Sequence, residues 1–187
     1  MGLPWDFHPL DGERVHLDLV RDDDFDALYA LQSDPEVCRF LLFEPRSRDE
    51  VQKVLERDAG NRRLAESGDF VQPAIRDGSG ELLGTVLLRI ESAADRTAEI
   101  GWMLRPAAQG KGYAREAAAL LLDLAFGELE LHRVIAELDP RNAASAALCR
   151  RLEMRHEAHH LENLWLKGEW TDTETYAILD REWRSPA

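Results

Sequence analysis

The stretch Arg105-Pro106-Ala107-Ala108-Gln109-Gly110-Lys111-Gly112-Tyr113-Ala114 constrains this chain more than any other. Ahead of it, Ala98 to Leu104 reads as a buried strand. Behind it, Ala114 to Phe126 is rich in Ala and Leu with no internal Gly or Pro, a strong helix signal. Strand, glycine-punctuated turn and helix N-terminus together make an anion site. The first N–H groups of a helix have no intrahelical partner, and the macrodipole adds partial positive charge there. Gly110 and Gly112 allow a phosphate to approach the backbone, so the stretch predicts a phosphate-bearing cofactor. A glycine-rich turn without a ligand is the plainer alternative.

The chain has 187 residues, enough for one domain with a sizeable core. No basic-then-apolar leader and no span-length apolar run occur, so neither secretion nor membrane insertion is expected. Cys38 and Cys149 make no disulfide framework, which favours a reduced cytoplasmic setting. A net charge of −13 argues against nonspecific nucleic-acid binding. It suits a cationic acceptor such as an amine, or serves solubility alone.

In order, residues 1–11 read as an irregular arm and 12–184 as one α/β domain. Val15, Leu17 and Leu19 alternate as a strand, and Phe25 to Ser33 forms a helix that Asp34-Pro35 breaks. Ser47 and Glu50 form a capping box opening a helix toward Ala65. Phe70 to Ile75 and Leu82 to Ile90 are strands joined by the hairpin turn Asp77-Gly78-Ser79-Gly80. Thr97 opens the strand before the glycine turn, whose helix runs to about Leu129. Val134 to Leu138 is a strand, Asn142 to Leu152 a short helix, and strands near His156–Leu166 and Glu174–Leu179 close the chain.

Spacing narrows the cofactor. A P-loop fails because Arg105 stands where its first Gly belongs, and the dinucleotide fingerprint fails because Arg115 stands at its third Gly. Gln109, Gly112 and Ala114 fit Gln-x-x-Gly-x-Ala, which resembles the pyrophosphate turn of the GNAT superfamily of acetyl-CoA-dependent N-acetyltransferases. Segments Ser33–Val37, Gly80–Gly84, Ala98–Trp102, Gln109–Ala114, Leu131–Val134 and Asp139–Ser145 fall in the order of the RimJ/RimL-type branch. The similarity spans about residues 12 to 184.

The resemblance implies a mixed, mostly antiparallel sheet flanked by helices, in which a parallel strand pair splays at its C-terminal ends. The pantetheine arm of acetyl-CoA would pair with backbone near Met103, Leu104 and Arg105, with the Leu104 N–H facing the thioester carbonyl. Pyrophosphate would sit on N–H groups of Gln109, Gly110, Lys111, Gly112, Tyr113 and Ala114. Lys111 and Arg115 either add charge there or are simply solvated. Asn142 would contact pantetheine and also cap its helix.

For chemistry, the resemblance implies Glu99 as the base that deprotonates the amine, directly or through water, its pKa raised by apolar neighbours. A solvent-facing acid is the alternative. Ser145 would serve as proton donor or stabiliser near the sulfur, or else bond its own backbone. Cys149 stands where many relatives carry a Tyr acid, and Leu152-Glu153-Met154 replaces the usual Leu-Gly-Phe. His156, His159 and His160 do not read as a metal site, since on a regular strand 156 and 160 face one side and 159 the other. His132 reads as structural. Trp165 and Trp170 belong either to the core or to an acceptor pocket.

The expected activity is acetyl transfer from the thioester to a primary amine by direct attack. The acceptor is a protein N-terminus or a small amine, selected by loops around 36–47, 91–97 and 161–172. A non-catalytic acyl-CoA-binding module is the rival reading, and a homodimer is implied by the resemblance alone.

Overall fold

The computed structural model describes residues 2–183, so the expected domain end at 184 lies outside the described residues. Local chemistry sets most elements. Val15 and Leu17 are buried while His16 and Asp18 are only half-covered, which makes Val15–Asp18 (β3) one face of a sheet. Helix α1 spans Phe25–Gln32 and buries Leu28 and Leu31. Asp34 then caps a one-turn helix, α2 (Pro35–Cys38), by accepting from the Glu36 N–H at 2.9 Å. Ser47 and Glu50 form the expected capping box at the start of α3 (Arg48–Gly60), the Ser47 N–H donating to Glu50 Oε2 at 2.8 Å.

Helix α3 stops at Gly60 rather than near Ala65. Arg63–Leu64 (β4) instead pairs antiparallel with Trp5–Asp6 (β1), a strand where none is expected. Leu64 and Trp5 are both buried, and the Trp5 indole donates to Glu128 at 2.9 Å. Long-range burial here outweighs local helix propensity. Leu10–Asp11 (β2) pairs with β3. The expected strand at 70–75 is two, Phe70–Val71 (β5) and Ala74–Asp77 (β6), because Pro73 has no N–H for a ladder. The Asp77–Gly80 turn forms as expected: Asp77 accepts from the Ser79 N–H and hydroxyl, and Gly80 takes a φ of 86°.

The remaining elements are β7 (Leu82–Ser92), β8 (Thr97–Leu104), α4 (Tyr113–Asp123), β9 (Arg133–Leu138), α5 (Ala143–Arg151), β10 (Arg155–Leu166) and β11 (Glu169–Leu179). Helix α4 continues through a π turn at Leu124–Glu128. Strand β11 begins five residues ahead of expectation, because Lys167 and Gly168 both take positive φ and close a two-residue hairpin.

Among the described residues nine strands make one sheet in the order β10-β11-β9-β8-β7-β6-β3-β2, with β5 paired to β7. All pairings are antiparallel except β8 with β9. Helices α4 and α5 cover one face, over Leu88, Ile100, Val134 and Ile178. Helices α1 and α3 cover the start of β6 and β7 on the other, over Ala74 and Leu82. A buried bidentate pair, Arg76 with Asp24 at 2.8 and 2.7 Å, ties β6 to the turn preceding α1.

Helix α5 ends in a Schellman turn: Glu153 and Met154 donate to the carbonyls of Arg150 and Cys149 at 3.1 and 3.0 Å. Glu153 holds the left-handed conformation there, at φ 61°. The turn geometry that a glycine would favour is therefore kept with a glutamate, at a cost of roughly 1 kcal/mol.

Candidate active site

Strands β8 and β9 pair only through Thr97–Arg133, Ala98–Val134 and Glu99–Ile135 among the described residues. Beyond Glu99 they part, as the resemblance implies. The Arg105 N–H donates to Leu83 O at 3.0 Å, on the β7 side. Antiparallel ladders alternate, so the peptide groups of Trp102 and Leu104 turn the other way, into the gap. Gln109 Nε2 donates to the Leu104 carbonyl at 3.0 Å, which leaves the Leu104 N–H as the donor that this residue presents to the gap.

The glycine turn closes one end of the gap. Gly110 and Gly112 have φ of 72° and 88°, and Gly112 is the N-cap of α4. The first bond of the helix runs from the Glu116 N–H to Gly112 O at 3.1 Å. The N–H groups of Tyr113, Ala114 and Arg115 precede it and point out of the helix end. A Cβ placed on Gly110 would meet nothing within 4 Å, so the space beside the turn is open to an anion. These residues fit the pyrophosphate of acetyl-CoA.

A clamp that no local spacing reveals holds this turn. Arg14 donates through Nη1 to Lys111 O at 3.0 Å and through Nε to Glu116 Oε2 at 2.9 Å, and its guanidinium lies over the Tyr113 ring. Glu116 Oε1 also accepts from the backbone N–H of Arg14 and of Val15, at 2.6 and 3.1 Å. Burial works to raise the Glu116 pKa, but these hydrogen bonds prevail and hold it below the ordinary carboxylate value. Arg14 and Glu116 lie 102 positions apart, so only the packing of α4 on β3 unites them.

A cavity of about 590 Å³ runs from this turn along the free edge of β8 to α2. Of the expected residues it brings together Met103, Leu104, Gln109, Gly110, Gly112, Tyr113, Ala114, Asn142 and Ser145. Arg115 and Arg151 line the end beside the glycine turn, and Glu36, Phe40 and Leu41 the opposite end. Asn142 Oδ1 accepts from the Ser145 N–H at 3.1 Å, the expected cap. Ser145 Oγ accepts the Trp102 indole N–H at 3.1 Å. An indole only donates, so the serine keeps its own proton to give.

Three expected residues stand apart from the cavity. Arg105 spends its N–H on Leu83 and its guanidinium on Glu81 at 2.7 Å. Lys111 offers its carbonyl to Arg14, and its exposed side chain does not line the cavity. Glu99 does not line it either. Trp102 faces α5, so Glu99, an odd number of positions away on β8, faces the opposite side of the sheet. There it pairs with Arg89 at 2.5 Å. Burial raises its pKa; Arg89 opposes this, and the nearby Glu91 and Glu137 reinforce it. Gly101, next on that face, fills no space between Glu99 and Met103.

Two further expectations, the facing of the three histidines and the setting of Trp165 and Trp170, are corrected. Cys149 is fully buried, and burial pushes its thiol up to about 12, too weak an acid for the place of the family's tyrosine. A bulge between His156 and Ala158 shifts β10, so His156 and His159 pair with Tyr176 and Glu174 on one face, and His160 pairs with Thr173 on the other. Among the described residues no group of three or more His, Cys, Asp or Glu is placed to hold a metal. Trp165 and Trp170 neither enter the core nor line the cavity; they pack edge to face, more than half exposed. His132 immediately precedes β9, its N–H donating to Arg96 O at 2.8 Å and its carbonyl accepting from the Asp180 N–H.

A parting parallel pair, a glycine turn at a helix N-terminus and a cavity along the free strand edge define an acyl-CoA-dependent transferase fold. The model of the acetyltransferase (GNAT) domain matches residues 14–155. The N-acetyltransferase YnaD of Bacillus subtilis is 31% identical over 160 residues, covering 86% of this chain and 90% of that one. The crystal structure of a GNAT-family acetyltransferase from Bacillus anthracis superposes with a TM-score of 0.84 at 27% identity, over 94% of this chain and 100% of the other. A spermidine N-acetyltransferase from Vibrio cholerae, solved with CoA and spermine, has a TM-score of 0.78 at 22% identity, over 91% and 98%. This chain belongs to the GNAT family. It is an N-acetyltransferase, and acetyl-CoA is its co-substrate.

Proposed function

We propose that this enzyme is of the RimJ/RimL type and acetylates a small cationic amine by direct attack on the thioester. One observation carries this reading. The Leu104 edge, Ser145, the glycine turn and Glu36 all border a single cavity, and Glu36 is the one carboxylate side chain that lines it among the described residues. In this reading the N–H groups of the glycine turn and Arg115 bind the phosphates, and Asn142 and the Leu104 N–H orient the pantetheine and the thioester carbonyl. The neutral amine nitrogen attacks the carbonyl carbon, and its proton passes by way of water, through the opening where β8 and β9 part, to Glu99 on the other face of the sheet. The C–S bond then breaks, and CoA leaves as a thiolate that accepts a hydrogen bond from the Ser145 hydroxyl.

Glu36 would take a second positive charge on the acceptor, which favours a diamine or polyamine. The spermine-bound relative from Vibrio cholerae supports that class as an analogy of fold. A protein N-terminus is the second reading, favoured by the RimJ/RimL-like segments. Cytoplasmic residence, on the two free buried cysteines, and a homodimer, on the resemblance, belong to the same proposal. Thiol release from acetyl-CoA against diamines, polyamines, amino sugars and peptides tests it. Turnover with the polycationic amines and a raised acceptor KM in Glu36→Gln are expected. Turnover confined to peptides would overturn the small-amine reading.

A further inference from the structure

The tip of the β10–β11 hairpin reaches α2, far away in sequence. Lys167 there takes a left-handed φ of 52°, an uncommon conformation for a residue with a side chain. Its ammonium donates to Cys38 O at 2.5 Å and to Arg39 O at 3.3 Å. These carbonyls belong to the end of α2, where helix carbonyls lack intrahelical partners and a cation is favoured. The helix has only four residues, and the chain from Arg39 to Ser47 is irregular, with Leu42 75% exposed. Among the described residues the other hydrogen bonds of residues 36–46 stay between Gln32 and Ser47: Cys38 Sγ donates to Gln32 O at 3.2 Å, the Arg46 N–H to Gln32 O at 2.9 Å, and the Leu41 N–H to the same Cys38 O at 3.0 Å. Lys167 therefore fastens across 129 positions a weakly held wall that carries Glu36, Phe40 and Leu41 into the cavity.

We propose that Lys167 is a latch that holds the α2 wall against the hairpin and so positions the acceptor end of the cavity. That this end takes the acceptor rests on the function proposed above; the latch itself does not. Lys167→Met and Lys167→Arg in the full chain test it by hydrogen exchange and kinetics. Loss of two charge-assisted bonds should speed amide exchange over residues 36–41 about tenfold, with α4 unchanged, and Lys167→Arg should restore most of the protection. The acceptor KM should rise in Lys167→Met while the acetyl-CoA KM stays put. Unchanged exchange over 36–41 overturns the latch, and an equal rise in both KM values overturns its positioning role. A wild-type enzyme inactive with every amine would defeat the functional reading, while the exchange data would still decide the latch.

Discussion

The indole N–H of Trp102 and the hydroxyl of Ser145 meet at 3.1 Å, joining the end of β8 to the first turn of α5 across the gap where β8 and β9 part. Since the indole can only donate, the contact leaves the serine proton uncommitted and available to a partner in the cavity. Ser145→Ala should lower kcat by roughly tenfold or more and leave the acetyl-CoA KM nearly unchanged. Trp102→Phe, which frees the hydroxyl to rotate, should show a smaller loss of the same kind. Steady-state thiol release measures both. An unchanged kcat in Ser145→Ala would remove the serine from the chemistry.

In the proposed mechanism Glu99 is the base, a role open to it only when deprotonated. Burial and the neighbouring Glu91 and Glu137 raise its pKa against the pull of Arg89. The rate should therefore climb with pH through that raised value and level off above it. Glu99→Gln should abolish this limb with a loss of about a hundredfold or more. Arg89→Met should move the limb to higher pH, because it removes the cation that favours the carboxylate. A pH profile of kcat/KM that is identical in wild type and Glu99→Gln would contradict the assignment.

Gly84 on β7 lies opposite Leu104 on β8 and Ile75 on β6, next to a bulge in the β6–β7 pairing. A Cβ there would stand 2.1 Å from Met103 O and 2.8 Å from Leu104 Cα, both backbone atoms of the strand edge that borders the cavity. Gly84→Ala must push β8 aside at that point. Thermal melting should show a loss of about 1–3 kcal/mol, and calorimetric titration a weaker CoA affinity. Full stability with full affinity would show that the strand yields freely.

Glu157 on β10 bonds Arg133 on β9 and Arg155 at 2.5 and 2.7 Å, across the intervening β11. The Arg133 hydrogen bond, with help from Arg155, holds its carboxyl down to about 2 from an ordinary 4.5. The folded state thus resists protonation, and the stabilisation is fully present above about 4.5 and lost as pH falls toward 2. Glu157→Gln should cost up to about 1 kcal/mol at neutral pH, the pair being partly open to solvent. The difference from wild type should shrink below pH 4.5 in urea melts taken at several pH values. A difference independent of pH would assign the effect to packing.

What the sequence determined on its own is what neighbouring residues decide. Ser47 with Glu50, Asp77 with Ser79, Asn142 with Ser145, and the run from Gln109 to Ala114 each satisfy backbone groups within four or five positions, so their spacing already states their geometry. The alternation in β3 set its two faces in the same way. Tertiary structure alone decided the contacts whose partners are distant. Trp5 and Leu64 turned an expected helix end into a strand, Arg14 reached Glu116 to brace the glycine turn, and Lys167 reached Cys38. It also set Glu99 on the face away from Ser145, and the bulge in β10 moved His159 to the side of His156. Burial and closure of long loops are paid back only when the whole sheet is assembled, and no local pattern records which distant side chain will supply the missing donor, charge or apolar surface.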